Sequence, residues 1–117
     1  MAIPSGSGTE VIKVKALTNQ NAAWQPLLGG SDTVADHIYI LLSLTVANLH
    51  GSTNEIFSMR VSGSNNPANL IEQQAVPYES TFIFNEKIAI IGTDDLDIWN
   101  NAITAHYYLT YVDQDWS

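Results

Sequence analysis

The sequence of 117 residues has no cysteine and few positive charges, with four lysines and arginines against twelve aspartates and glutamates. Without cysteine the chain cannot form disulfides, thiolate metal sites or cysteine nucleophiles, so its stability must come from packing. The formal net charge of -8 repels phosphate backbones and anionic lipid headgroups. We therefore expect no nucleic-acid partner and no membrane partner.

Long apolar runs are missing as well. The first eight residues lack the basic start and the apolar stretch of a secretory signal, and the longest apolar run is too short and too rich in hydroxyls to span a bilayer. We expect a product that stays soluble where it is made. A chain of this length has room for one hydrophobic core, which predicts a single domain.

The longest stretch of strand-forming residues runs from His37 to Asn48. Its even positions from Ile38 to Val46 are all large and apolar, and successive side chains of a strand point to opposite faces. This pattern predicts a central strand of an antiparallel sheet. The predicted core face consists of Ile38, Ile40, Leu42, Leu44 and Val46.

Other stretches alternate in the same way. The segment from Glu10 to Thr18 has Ile12, Val14 and Ala16 on one face and Lys13 and Lys15 on the other, which predicts an edge strand with exposed lysines. The segment from Ile56 to Ser62 returns after a polar loop, and we expect it to form a hairpin with the long strand.

Two further strands complete the pattern. From Thr81 to Ile91, Phe82, Phe84, Ile88 and Ile90 share one parity and Glu86 interrupts them, which predicts a bend or bulge. From Ile103 to Val112 the odd positions are apolar and the even positions are mixed, which predicts a buried face on one side.

Seven or eight short strands between turn signals, with no helical periodicity, predict an all-β fold. The expected architecture is an antiparallel two-sheet β-sandwich, jelly-roll or immunoglobulin-like, and a closed barrel is the main alternative. We divide the chain into an extended N-terminal arm (1–9), the sandwich domain (10–112) and a C-terminal tail (113–117).

The densest group of carboxylates is Asp94, Asp95 and Asp97. Oxygen ligands at short spacing are suited to calcium, but a connection between strands carries Asp for its turn chemistry as well. We interpret this stretch as a solvated acidic turn and expect no metal, leaving calcium as the alternative.

The three histidines are His37, His50 and His106. Zinc needs three or four converging nitrogen or sulfur ligands. His37 and His106 could be neighbours on a polar sheet face, but a pair is too few, so we interpret them as structural or exposed. The sequence also has no Gly-x-Ser-x-Gly elbow and no phosphate loop. We expect no enzymatic activity and no cofactor.

Among the aromatic residues, Tyr107 and Tyr111 share the parity of core positions, and Tyr108 and Trp116 are left over. Exposed aromatic side chains can anchor a protein interface or stack on sugars. Both residues are therefore candidates for binding a partner.

Several stretches carry a family resemblance. They are Ala2–Val11, His37-Ile38-Tyr39 leading into the strand that ends at Asn48, Pro77 before Phe82–Lys87, Gly92–Leu96, and Tyr111–Trp116. Together they resemble small β-sandwich virion proteins of tailed bacteriophages, especially phages of cyanobacteria and other aquatic bacteria. The strings at the two ends are the sharpest part of the resemblance.

The resemblance implies a structural component of the virion, a capsid decoration or cement protein. Such a protein is made in the host cytoplasm, forms a homotrimer on the outer capsid surface, and holds neighbouring copies of the major capsid protein with terminal arms. The implied partner-binding residues are Ala2, Ile3, Pro4, Ser5, Val11, Tyr108 and Trp116. The alternatives are a tail or fibre module that binds host-surface carbohydrate, and a neck or tail connector protein.

Overall fold

The computed structural model describes residues 9–19, 22–29, 33–63 and 67–115. These residues form nine strands, and none of them belongs to a helix that could cross a membrane. The strands are β1 (Thr9–Asn19), β2 (Gln25–Leu28), β3 (His37–Asn48), β4 (Glu55–Gly63), β5 (Ala68–Val76), β6 (Thr81–Phe84), β7 (Ile88–Ile91), β8 (Asp94–Asn100) and β9 (Ala105–Asp115).

The strands make two antiparallel sheets, which confirms the predicted β-sandwich. One sheet has five strands in the order β1-β9-β3-β6, with β7 also paired to β3, and the other has four in the order β2-β8-β4-β5. This order is that of a jelly roll, with one of its eight strands divided into β6 and β7. The order places β1 at the edge of its sheet, as predicted.

The hydrophobic core lies between the two sheets. The alternation predicted for β9 is confirmed, since Tyr107 and Leu109 are buried and Tyr108 is exposed. Phe57 and Met59 of β4 face them from the second sheet, with the rings of Phe57 and Tyr107 in edge contact at 5.8 Å. β9 continues through Asp115, three residues into the segment predicted as the C-terminal tail.

The long strand β3 does not keep one core face along its length. Tyr39 and Leu41 are buried in its first half, whereas Leu44 and Val46 are buried in its second half. The pairing with β9 shifts between Leu41 and Ser43. One extra residue in the strand moves every later side chain to the other face, so the inward parity changes from odd to even.

This bulge makes part of the predicted core face wrong. Ile38, Ile40 and Leu42 are only half-buried, and the first two lie on the face of the sheet that points away from the core. The neighbouring strand breaks at the same level, because residues 85–87 separate β6 from β7. The interruption predicted at Glu86 is therefore confirmed.

The hairpin predicted between β3 and β4 is wrong. The two strands belong to different sheets, and β3 pairs with β9, β6 and β7 instead. The polar loop between them carries the chain across the sandwich, so that buried side chains of both strands reach the same core.

The face of β1 that carries Ile12 and Val14 turns away from the core, contrary to the prediction, although Lys13 is exposed as predicted. Lys13 pairs with Tyr111 and Lys15 with Leu109, so the lysines follow the inward parity of β9. Ile12 and Val14 follow the outward parity and are exposed.

Candidate functional site

The face of the five-stranded sheet that points away from the core is a candidate interaction surface, which we call the outer face. Two cross-strand rows follow from the pairing registers. The first row is Ile12, Val112, Ile40 and Ala89, and the second is Ala16, Tyr108, Thr45 and Ile83. An antiparallel sheet with one packed face usually shows polar side chains on the other, so these apolar rows are unusual.

Large apolar side chains on the outer face are open to solvent. Ile12 is 70% exposed, Ile83 58% and Tyr108 48%. Among the strand residues of this sheet, Glu10 is the one acidic side chain on the outer face, where it accepts a hydrogen bond from Gln114 (2.6 Å). Glu86 is exposed in the segment between β6 and β7. The strands of the outer face therefore combine exposed apolar area with little charge.

The structure separates the predicted partner-binding residues. Tyr108 lies on the outer face, whereas Val11 is exposed on the edge strand with the inward parity, opposite Asp113. The remaining candidates, Ala2, Ile3, Pro4, Ser5 and Trp116, lie outside the described residues.

One end of the sandwich is closed by an ionic cluster on β1, β3 and β9. The Asp113 carboxylate is buried and accepts a hydrogen bond from Lys13 Nζ at 2.8 Å. Its other oxygen lies 2.7 Å from His37 Nδ1, and His37 Nε2 is 3.4 Å from Asp115. The cluster ties the edge strand to the sheet through side chains as well as through the backbone.

Burial alone would raise the pKa of Asp113. The hydrogen bonds and charges of Lys13 and His37 outweigh that effect and hold the pKa of the carboxyl below its ordinary value. A lowered folded-state pKa means that the carboxylate stabilises the fold above the unfolded pKa of about 3.9, and that this stability disappears as the pH falls through the folded pKa.

We expect Asp113→Asn to lower the free energy of unfolding by about 1 kcal/mol at neutral pH, because the ionic hydrogen bonds are weakened. The difference from wild type should vanish in acid, where Asp113 is protonated as well. Urea unfolding of both proteins across the acidic range measures it. A difference independent of pH would show that the carboxylate charge is not the cause.

The histidines do not come together. His37 lies at one end of the five-stranded sheet and His106 at the other end, on the opposite face. His50 Nδ1 accepts hydrogen bonds from the backbone N–H groups of Ser52 and Thr53, and so orders its own loop. A shared zinc site of His37 and His106 is therefore incompatible with the register.

The aspartates predicted to form a solvated turn are part of β8 instead. Asp94 and Asp97 are buried, and Asp97 accepts hydrogen bonds from Ser62 Oγ (2.6 Å) and Arg60 Nε (3.4 Å). The described residues contain no group of three or more acidic, histidine or cysteine side chains that could hold a metal ion. The interpretation as a solvated turn was wrong because strand pairing begins two residues earlier than the sequence pattern indicates.

A buried acid closes the opposite end of the core. Glu55 is fully buried, and its Oε2 accepts hydrogen bonds from the Tyr107 hydroxyl and from Asn100 Nδ2 (3.1 Å). Within the described structure, Glu55 Oε1 has no hydrogen-bond partner. Burial raises the pKa of Glu55 although the two hydrogen bonds oppose the shift, and burial also raises the pKa of Tyr107.

The outer face of the four-stranded sheet carries a cavity that the sequence did not indicate. Its volume is about 210 Å³, and its lining consists of Trp24, Ser58, Glu72, Gln73 and Trp99. Both tryptophans reach this cavity because β2 pairs with β8, with Gln25 opposite Ile98. The sequence analysis selected Tyr108 and Trp116 as binding candidates and did not select Trp24 or Trp99. The sequence shows only that each of these tryptophans lies at one end of a short predicted strand.

An irregularity of β5 shapes this cavity. The alternation of β5 fails at residues 72–74, and the pairing between β4 and β5 shifts there. Gln73 has a φ of 51°, in the left-handed region, and its N–H donates to Ser58 Oγ (2.9 Å). The bulge thus brings Glu72 and Gln73 beside the tryptophans.

No protein-family model and no curated protein matches the chain. Among solved structures, the chain is similar to a protein of Bacillus endospore appendages, which are described as a novel family of disulfide-linked pili. The TM-score is 0.54 at 15% sequence identity, over 98% of this chain and 95% of the other. At this identity the likeness shows a shared fold, so the chain has the β-sandwich fold of that appendage protein.

Proposed function

We propose that the chain is a structural subunit that associates with further copies of itself through the outer face of the five-stranded sheet. The observation that carries this proposal is the exposed apolar surface around Ile12, Tyr108 and Ile83. Exposed apolar side chains gain free energy when a partner covers them. The proposed role is structural and not enzymatic.

Charge supports a second copy as the occupant of this face. A protein with a formal net charge of -8 repels its own copies unless the contacting surfaces are nearly uncharged. The outer face meets this condition, since the one acidic side chain on its strands is Glu10, at one edge of the sheet. The cores of protein interfaces are depleted of charge in the same way.

The assembly that we propose is the outer shell of a tailed bacteriophage. In this form the chain is a capsid decoration protein, a trimer made in the host cytoplasm that binds the major capsid protein through its terminal residues. The resemblance of both chain ends to phage virion proteins supports this form, and jelly rolls are common among capsid proteins.

A filament is the second form of the proposal, favoured by the structural likeness to the endospore appendage protein. Those appendages are disulfide-linked pili, whereas this sequence contains no cysteine. A filament of this chain would therefore depend on non-covalent contacts such as those of the outer face.

Sedimentation velocity and negative-stain electron microscopy of the full chain test the proposal. We expect Ile12→Asp to dissociate the assembly into monomers, because it places a charge in an apolar contact. Leu49→Asp is the matched control, since Leu49 is 55% exposed in the loop after β3 and should leave assembly unchanged.

Compact trimers that co-sediment with empty phage shells would support the decoration form, and fibres would support the filament form. A wild-type protein that stays monomeric at high micromolar concentration would contradict self-association. Equal effects of the two substitutions would contradict the assignment to the outer face.

A further inference from the structure

We propose that the cavity between Trp24 and Trp99 binds a single neutral sugar ring of the pyranose type. A pyranose presents apolar C–H faces, which pack on indole rings, and a rim of hydroxyls that both donate and accept hydrogen bonds. This binding role is separate from the proposed assembly, because the cavity lies on the other sheet.

The polar lining supplies both kinds of hydrogen-bonding group. Ser58 Oγ accepts from the Gln73 N–H and carries an O–H that can donate. The Gln73 side-chain amide offers a donor and an acceptor, and the Glu72 carboxylate offers acceptors. Asn69 donates a hydrogen bond to Glu72 and so helps to orient that carboxylate.

One of the two indole rings is held in place before any ligand arrives. The Arg60 guanidinium lies over Trp24, with Cζ 4.1 Å from the ring centroid, and Arg60 Nε donates to Asp97 (3.4 Å). A cation over an indole face fixes the ring, and a fixed ring loses less entropy when a ligand packs on it.

The bulge of β5 places two polar side chains at the cavity. A φ of 51° at Gln73 costs free energy for a residue other than glycine, and β-bulges are known to re-aim side chains at binding and active sites. Here it keeps the side chains of Glu72 and Gln73 at the cavity instead of continuing the regular strand.

Size and charge limit the ligand. A cavity of about 210 Å³ is below the range of roughly 300–1,000 Å³ found for drug-sized ligands, which fits one ring and not an enclosed oligosaccharide. Glu72 at the rim and the acidic chain disfavour sialic acid, uronic acids and sulfated sugars. The ligand is thus a neutral sugar or a neutral terminal residue of a glycan.

Titration of the full chain with glucose, galactose, mannose and N-acetylglucosamine tests the proposal, followed by tryptophan fluorescence and by amide NMR shifts. We expect a dissociation constant on the order of 1 mM for the preferred sugar. A monosaccharide has about a dozen non-hydrogen atoms, and at about 0.3 kcal/mol for each atom the binding free energy corresponds to this constant. The shifted amides should lie in β5 and β8.

Variants separate the cavity from other aromatic surfaces. We expect Trp99→Ala and Glu72→Ala each to weaken sugar binding about tenfold, through the loss of stacking and of a charged acceptor. Glu72 is exposed, so Glu72→Ala should fold normally. It therefore still tests the cavity if Trp99→Ala does not fold. Tyr108→Ala is the matched control, because it removes an exposed aromatic side chain from the other sheet. Sugar binding should be unchanged in this variant.

Three outcomes would overturn the proposal. The first is the absence of a saturable shift with any of these sugars. The second is a loss of binding in Tyr108→Ala while the cavity variants bind normally. The third is binding of tetramethylammonium in place of sugars, which would make the cavity a cation site. Because assembly is measured independently on the Ile12 variant, failure of sugar binding leaves the structural role standing.

Discussion

Replacing Glu55 by alanine is expected to lower the free energy of unfolding by about 2–4 kcal/mol. The substitution opens a cavity in a fully buried site and removes the acceptor of the Tyr107 hydroxyl and of one Asn100 amide hydrogen. Buried donors without an acceptor lose their interaction with water and gain nothing in return. Urea unfolding at neutral pH measures the change.

Glu55→Gln is the variant that isolates the charge. Its amide has nearly the shape of the protonated acid and keeps an acceptor for Tyr107 and Asn100. Because burial raises the folded pKa of Glu55, wild type gains its full stability from this group below the unfolded pKa of about 4.3 and loses it as the pH rises through the folded value. The glutamine variant should lack that decline.

The pH dependence of the free energy of unfolding, measured for wild type and for Glu55→Gln, tests whether the pKa of Glu55 is raised. Wild type should become less stable relative to Glu55→Gln as the pH rises from acid to neutral. Parallel profiles would contradict a raised pKa at Glu55, and an alanine variant as stable as wild type would contradict the structural importance of the three-residue network.

Replacing Gly92 by alanine is expected to destabilise the fold by about 3 kcal/mol, the upper end of the range for inserting an atom into a packed site. A Cβ at this position would lie 1.7 Å from the Val34 carbonyl oxygen and 2.6 Å from its carbon. The neighbours are backbone atoms that cannot turn away. The Gly92 N–H also donates to the His37 carbonyl at 2.9 Å, which holds the two segments together.

Gly51→Ala is the matched control for the glycine substitution. No atom lies within 4 Å of a Cβ built on Gly51, in the loop after β3. The control should stay within about 0.5 kcal/mol of wild type. Chemical denaturation of both variants gives the comparison, and a Gly92 variant with wild-type stability would mean that the segment around Val34 moves at little cost.

Strand pattern and sandwich fold could be predicted from the sequence because alternation is a local property. The odd positions of β9 and the interruption at Glu86 are examples, and both are confirmed. The bulge in β3 could not be predicted, because Tyr39 and Leu41 are large side chains that can be buried, as Ile38 and Ile40 can, so either parity is compatible with burial. The partner strands decide which face turns inward.

The candidate surfaces depended on pairing that no local pattern contains. Trp24 and Trp99 are far apart in sequence, and only the pairing of β2 with β8 brings them to one cavity. The reversed faces of β1 have the same origin, since the register with β9 turns Lys13 inward to Asp113. Registers of this kind are set by the whole sheet.

The position of β9 between β1 and β3 has a consequence for synthesis on the ribosome. β9 is the last of the described strands to leave the ribosome, yet it pairs along its length with both neighbours. Until then β1 has no partner in its sheet among the described strands, and its apolar residues stay open to other nascent chains. Pairings this distant in sequence form slowly, so crowded polysomes would favour exchange of β9 between copies as a route to misfolding.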